Sequence, residues 1–177
     1  GLHITCNPKA VNRVSSSSGT TGSPTYSGFT LTDREITNEN QARALVRLGI
    51  EPGDVVMHAS VLSMWIAGIP GVDSMMAYGV CLVPVGALSG VERVAQIARD
   101  TRPKSIKCTV SFAQYLVKHM EERSGIDPAT LGLEKVVIFG EPGGSIPEIY
   151  EPLEKGFGGA MVHDIMGATG CHSPTGI

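Results

Sequence analysis

The sequence has no basic excess, and that absence removes a class of partners. Its 177 residues carry 14 Lys plus Arg against 17 Asp plus Glu, a formal net charge of -3. Neither a nucleic-acid duplex nor an anionic membrane would find an electrostatic footprint here. A phosphate ligand stays open, because backbone N–H groups bind phosphate without net protein charge. No apolar stretch is long enough to span a bilayer and no signal peptide opens the chain, so no membrane partner and a cytoplasmic location are expected. Paired cysteines are missing too. Cys6, Cys81, Cys108 and Cys171 are widely spaced, and Cys81 and Cys108 sit inside apolar runs that predict buried free thiols. No Met stands at position 1, and Thr175-Gly176-Ile177 follows a Gly-rich loop with no closing element; a piece of a longer protein is expected.

What is present is a globular balance, 42% hydrophobic and 18% charged, in a length suited to one domain. Strand-period and helix-period segments alternate along it. Thr32-Asp33-Arg34-Glu35 has a capping-box pattern and predicts a helix to about Gly49, with Ile36, Leu45 and Leu48 inward. Pro52-Gly53-Asp54 reads as a turn before a short buried strand, Val55-Val56-Met57. A helix within Ser63 to Tyr78 is broken in its first half by Gly68, Pro70 and Gly71, and Val80 to Val85 reads as a strand. Ser89-Gly90-Val91-Glu92 is a second capping-box pattern. It opens a helix with Val91, Val94, Ala95 and Ala98 on one face that ends before Pro103. Strands over Ile106 to Val110, Val136 to Phe139 and Ala160 to Ile165 then alternate with helices over Phe112 to Glu122 and Ile146 to Lys155. The expected fold is α/β, a mostly parallel open sheet with crossover helices on both faces, plus a β-hairpin carrying a phosphate loop. Ligands of such sheets sit beyond the carboxyl ends of the strands. Gly140-Glu141-Pro142 and Met166-Gly167-Ala168-Thr169 fall at that edge.

The hairpin loop, Ser15 to Pro24, lies between strand-like segments Val11 to Val14 and Thr25 to Leu31. Gly19 and Gly22 let the backbone turn its N–H groups into an anion-binding concavity. The hydroxyls of Ser16, Ser17, Ser18, Thr20 and Thr21 can donate to phosphate oxygens. A flexible Ser/Gly linker has the same composition, but linkers are seldom framed by two strands. The loop is not a Walker loop, because Ser23 and Pro24 follow Gly22 where that pattern needs Lys. Nor does it match the GxGxxG fingerprint of dinucleotide-binding folds.

Ser17-Ser18-Gly19-Thr20-Thr21-Gly22, with Pro24-Thr25 after it, resembles the signature loop of the acyl-adenylate-forming superfamily, and within it the phenylacetate–coenzyme A ligase branch. Gly53-Asp54-Val55-Val56, Val83-Pro84-Val85, Phe139-Gly140-Glu141-Pro142 and Asp164 to Thr169 resemble later motifs of that branch in the same order. The likeness implies that residues 1–177 are the nucleotide-binding part of a large N-terminal domain, with a C-terminal subdomain beyond Ile177. It implies ATP-dependent activation of an aromatic, phenylacetate-like carboxylic acid to an acyl adenylate, with Mg2+, and then a thioester with coenzyme A. By the same likeness Ser17, Ser18, Gly19, Thr20, Thr21 and Gly22 would hold the β- and γ-phosphates, and Glu141 and Pro142 would lie beside adenine. Asp164, Ile165, Met166, Gly167 and Ala168 would wall the adenine and acyl sites, and the Thr169 hydroxyl would reach the α-phosphate as the catalytic group. Met64, Trp65, Ser111 and Phe112 would line the acyl pocket, with plain core packing as the other reading of Met64 and Phe112. Two positions depart from the pattern. Gly170 stands where an acidic Mg2+ ligand is normal, and Met166 where an aromatic residue is common. The 177 residues alone are expected to bind nucleotide at most weakly and not to complete the reaction.

Cys171-His172 could begin a zinc site completed past Ile177, although an ordinary loop pair is the commoner reading. His58 ends a buried strand near the supposed acyl site, and a hydrogen-bonded structural role competes with contact to the carboxylate. His163 receives no role. Two further readings stay open: a synthetase that adenylylates a deazaflavin coenzyme, and a non-catalytic nucleotide-binding module that has lost the Mg2+ ligand. The expected partner is a small-molecule carboxylic acid, and a homodimer of the full-length protein is left open.

Overall fold

A computed structural model describes residues 2–4, 6–17, 22–167 and 174–176. The chain runs through β1 (Leu2–His3), β2 (Arg13–Ser16), β3 (Tyr26–Phe29), α1 (Leu31–Arg47), β4 (Val55–His58), α2 (Ile69–Tyr78), β5 (Cys81–Val83) and α3 (Val91–Thr101). It continues through β6 (Ser105–Thr109), α4 (Val110–Ser124), β7 (Lys135–Phe139), α5 (Pro147–Gly156), β8 (Met161–Gly167) and β9 (Pro174–Gly176). The larger sheet has the order β5-β4-β6-β7-β8-β9. Its first five strands are parallel, and β9 pairs antiparallel with β8. The expected α/β fold and hairpin are both present.

Side chains of a strand alternate between its two faces, so this sheet buries two separate cores. On one face Leu45 and Leu48 of α1 and Val72 and Met75 of α2 pack on Val56, Val137, Phe139 and Ile165. On the other face Val94 and Ala95 of α3, Leu116 and Met120 of α4 and Leu153 of α5 pack on Met57, Ile106, Cys108, Val136 and Ile138. From β4 the chain steps outward through α2 to β5, then returns through α3 past β4 to β6. α2 leaves β4 toward one face and α4 leaves β6 toward the other, and that divergence opens a crevice above their carboxyl ends.

A second sheet, ordered β1-β3-β2, contains the hairpin of β2 and β3. It is docked on the α1 and α2 side by polar contacts. Arg34 of α1 donates from Nε (3.1 Å) and Nη2 (2.7 Å) to the Asp73 carboxylate on α2, and from Nη1 to Asn12 (2.7 Å). The Arg13 guanidinium lies over the Phe29 ring at 5.0 Å. The Ser16 N–H donates to the Met64 carbonyl (3.1 Å), tying the hairpin to the segment after β4.

Several local expectations are corrected. The first helix is capped by Thr30, not Thr32: Thr30 Oγ1 accepts from the Asp33 N–H (3.2 Å) and Asp33 Oδ2 accepts from the Thr30 N–H (2.8 Å). The buried stripe of α1 runs through Thr37, Gln41, Ala44 and Leu45, and Ile36 is exposed. Gly90, with no side-chain cap, precedes α3, because Ser89 Oγ donates instead to the Val85 carbonyl (2.6 Å). The helix sought in Ser63 to Tyr78 forms only from Ile69, with Pro70 in its first turn where the missing N–H is harmless. Cys81 is exposed because it opens β5, an edge strand, whereas Cys108 on central β6 is buried as expected.

Candidate functional site

Parallel strands deliver their carboxyl ends to one edge, and a cavity of about 1150 Å³ opens there. It exceeds the ~300–1,000 Å³ of an ordinary small-molecule site. Ser60 and Val61 follow β4 into it; Lys107, Thr109 and Ser111 enter from β6 and the start of α4; Phe139, Gly140 and Glu141 come from β7. Ile165, Met166 and Gly167 of β8 form another wall, and Ser16 and Ser17 bring in the base of the hairpin.

Of the residues named from sequence, Ser17, Met64, Trp65, Ser111, Phe112, Glu141, Ile165, Met166 and Gly167 line this cavity. Gly22, Pro142 and Asp164 do not line it. Ser17 closes the hairpin before its loop: its N–H donates to the Thr25 carbonyl (3.0 Å), and its Oγ accepts from the Thr25 N–H (2.9 Å). Asp164 accepts from Ser145 Oγ (2.9 Å), which ties its carboxylate to the segment after β7. Ser18, Gly19, Thr20, Thr21, Ala168, Thr169, Gly170, Cys171 and His172 lie outside the described residues.

Glu141 joins two loops that the sequence treats separately. Its carboxylate accepts from the Ser111 N–H (2.6 Å) and the Ser111 Oγ (2.7 Å) in the first turn of α4. A carboxylate is favoured at a helix N-terminus, so this contact holds the β6 and β7 loops at a fixed separation. Trp65 Nε1 donates to the Val61 carbonyl (2.8 Å), and its ring tilts onto Phe139 with centroids 5.5 Å apart. Gly140, at φ +78°, makes room for that ring: a Cβ there would meet Trp65 at 3.2 Å. The half-buried rings of Phe112 and Tyr115 stack with centroids 6.4 Å apart and add apolar wall.

The cavity lining includes Lys107, Gln41 and Ser60, which motif reading did not single out. Lys107 is 4% exposed, and its Nζ lies over the Phe139 ring at 5.4 Å. Burial lowers its pKa to about 8. No carboxylate pairs with it among the described residues. His58 stands directly opposite Lys107 in the β4–β6 register and stacks on Phe139 (6.2 Å). Its pKa is pushed down to about 3, first by burial and then by the Lys107 charge. Neither ring nitrogen closes a well-formed hydrogen bond, although the Ala67 backbone approaches and weakly favours the charged form. His58 is thus a buried residue outside the cavity lining, with the Ala67 backbone as its one approach to a hydrogen-bond partner among the described residues. Gln41 Nε2 and Ser60 Oγ, both at buried residues of the lining, also lack partners. Polar atoms left unpaired in an interior are costly, and here they gather around a cavity. The signal that could have found Lys107 is its position: a charged residue in the middle of a strand expected to be buried on both faces.

Cys108 faces the opposite core, and burial followed by the Glu141 charge pushes its thiol up to about 12, which leaves it unreactive. Among the described residues no cluster of three or more His, Cys, Asp or Glu side chains could hold a metal ion. The described carboxylate of the cavity, Glu141, is already engaged twice by Ser111. These residues do not form a Mg2+ or zinc site. Among the described residues no helix is long and apolar enough to cross a membrane.

No protein-family profile matches the chain. Curated relatives do. The phenylacetate-coenzyme A ligase of Thermus thermophilus is 37% identical over 132 residues, covering 75% of this chain and 29% of the relative. The phenylacetate-coenzyme A ligase of Escherichia coli is 30% identical over 132 residues, covering 75% and 30%. The chain thus spans less than a third of the length of these relatives. Among solved structures, 2-hydroxyisobutyryl-CoA ligase in complex with 2-HIB-AMP and CoA superposes with a TM-score of 0.82 at 26% identity, covering 92% of this chain and 37% of that one.

Proposed function

Because this chain is a relative of the phenylacetate–coenzyme A ligases, within the acyl-adenylate-forming superfamily, we propose that it supplies the ATP- and acid-binding part of an AMP-forming acid–coenzyme A ligase. Residues 1–177 are then part of the large N-terminal domain of a longer enzyme. The observation that carries this reading is a cavity whose lining brings together Ser17 at the base of the Ser17–Gly22 loop, Glu141 and the end of β8 with the aromatic rings of Trp65, Phe112 and Phe139.

In this reading an aromatic acid lies among Trp65, Met64 and Phe112, its carboxylate toward the mouth. The carboxylate oxygen attacks the α-phosphorus of ATP, and the bond from that phosphorus to the α,β-bridging oxygen breaks to release pyrophosphate. The thiol of coenzyme A then attacks the acyl carbon and AMP leaves. Ser17, Ser18, Gly19, Thr20, Thr21 and Gly22 grip the β- and γ-phosphates; Thr169 donates to the α-phosphate. Glu141 and Pro142 border adenine, and Asp164 to Ala168 stiffen the wall beside it. Because Glu141 is bonded to Ser111, it acts by holding the adenine side and the acyl side in register. Catalysis then rests mainly on positioning and charge neutralisation of reacting anions. ATP comes with Mg2+, and no described side chain is assigned to the metal.

The test is ATP–pyrophosphate exchange by the full-length protein with a panel of aromatic and aliphatic acids. Exchange that depends on an aromatic acid is expected. Exchange with none of them, from protein that still binds ATP, would overturn the reading.

A further inference from the structure

The acid has to place one carboxylate at the mouth of the cavity, where Ser17 and the end of β8 stand, and the rest of it must go inward. Lys107 lies inward. In the sheet register it is opposite His58 and Val137, while Thr109, two residues later, is opposite Phe139 at the carboxyl edge. Two residues of strand put its Cα about 7 Å below that of Thr109. Along the way the walls are apolar and aromatic: Trp65, Phe139 and Phe112. At the end stands an ammonium that is 4% exposed, lines the cavity, and has no carboxylate partner among the described residues. A purely hydrocarbon acid would leave it uncompensated, at a cost that interiors rarely tolerate. Its cross-strand neighbour His58, held neutral, brings no negative charge to it and makes no hydrogen bond with it. The aromatic face of Phe139 at 5.4 Å stabilises a cation there but leaves its remaining hydrogen-bonding capacity free.

We propose that the acid is a two-headed one: an aromatic body with a second anionic oxygen group, a carboxylate, at the end remote from the reacting carboxylate, and that Lys107 is the residue that selects it. Ser60, which follows β4 into the same cavity and carries an unpartnered buried hydroxyl, is a further hydrogen-bond donor available to a polar group bound there. This inference rests on the acid-activating reading above. It goes beyond that reading because the second head, and not the ring alone, sets the substrate.

The experiment compares benzene-1,4-diacetate with phenylacetate on the full-length protein and on its Lys107→Met variant, by titration calorimetry without ATP and by ATP–pyrophosphate exchange. The parent is expected to bind the diacid at least tenfold more tightly than the monoacid. Lys107→Met should erase or reverse that preference while phenylacetate binding persists. Its melting temperature without ligand should not fall, because an unpaired buried charge has been removed. If Lys107→Met does not fold, Lys107→Arg, which keeps the charge, must retain the diacid preference. Equal affinity for the two acids, binding of neither, or a preference that survives in Lys107→Met overturns the inference. Loss of both acids together in Lys107→Met also overturns it, since Lys107 would then serve the reacting carboxylate. Absence of exchange with every acid defeats the ligase reading by itself, while the calorimetric comparison still decides the role of Lys107.

Discussion

The two faces of the larger sheet are made by the same strands and end up with opposite characters. The face under α3, α4 and α5 is closed and apolar, with Val94, Ala95, Leu116, Met120 and Ile138 all inaccessible to solvent. The face under α1 and α2 has its own apolar core, but it also carries His58, Ser105 and His163, each with an unpartnered buried atom, and the buried ammonium of Lys107. Strand alternation is what separates them. In β6, Ile106 and Cys108 go to the closed face while Ser105 and Lys107 go to the open one. One face is given over to packing, and the other combines an apolar core with Lys107 and Thr109 presented to a cavity. A single residue step along a strand decides which task a side chain serves.

Four experiments can break or sharpen that contrast. The largest effect is expected on the closed face. Phe157 is 1% exposed among its packed side chains, so Phe157→Ala should cost about 3–5 kcal/mol in denaturant unfolding. Ser60→Ala on the open face should leave stability unchanged or slightly raised, since it removes an unsatisfied hydroxyl. Equal losses at the two sites would erase the distinction.

The second is pH dependence. The folded state holds His58 at about 3 against its ordinary 6.5, so between those values the unfolded chain binds the extra proton. Stability should be full above about 6.5 and should fall as pH drops toward 3, by up to about 1.4 kcal/mol per pH unit from this group. Chemical denaturation across that range should show the slope, and His58→Leu should flatten it. An unchanged slope in the variant would mean that His58 is not held neutral.

Third, Gly140→Ala places a Cβ 3.2 Å from Trp65 at a residue of positive φ. A loss of about 1–2 kcal/mol is expected, together with a changed Trp65 fluorescence spectrum; Trp65 is the one tryptophan of the 177 residues. The smallest effect belongs to the hairpin anchor. Asp73→Ala removes the partly buried carboxylate shared by Arg34 and, at 3.8 Å, by Arg13 of the hairpin, which should cost about 1 kcal/mol. It should nevertheless speed protease cleavage within residues 13–29, because Arg34 also reaches Asn12.

The order of βα units was legible because the periods of strand and helix are local properties of the chain, and so was the hairpin, framed by two short strand-like runs. The one face of α3, Val91, Val94, Ala95 and Ala98, is buried as its spacing demands. The motif-bearing loops were legible as positions at one edge of the sheet, since every parallel strand must end there. Local rules failed where two local solutions compete. Thr30-x-x-Asp33 and Thr32-x-x-Glu35 both satisfy a capping pattern, and the helix starts at the first. Cys81 reads as buried from its neighbours but sits on an edge strand, and edge position is a property of the sheet, not of the segment.

The site divides along the same line. The alternation of strand and helix periods and the spacing of glycines and hydroxyls determined that this chain has an α/β sheet with a Ser/Gly-rich hairpin loop, because those features act within a few residues of one another. Only the tertiary structure decided that Glu141 clasps Ser111, that Trp65 needs Gly140 beneath it, and that Gln41, Ser60 and Lys107 face one cavity. Each of these joins segments tens of residues apart. The direction in which a buried lysine points depends on strand register, and register is settled only when the neighbouring strands have paired.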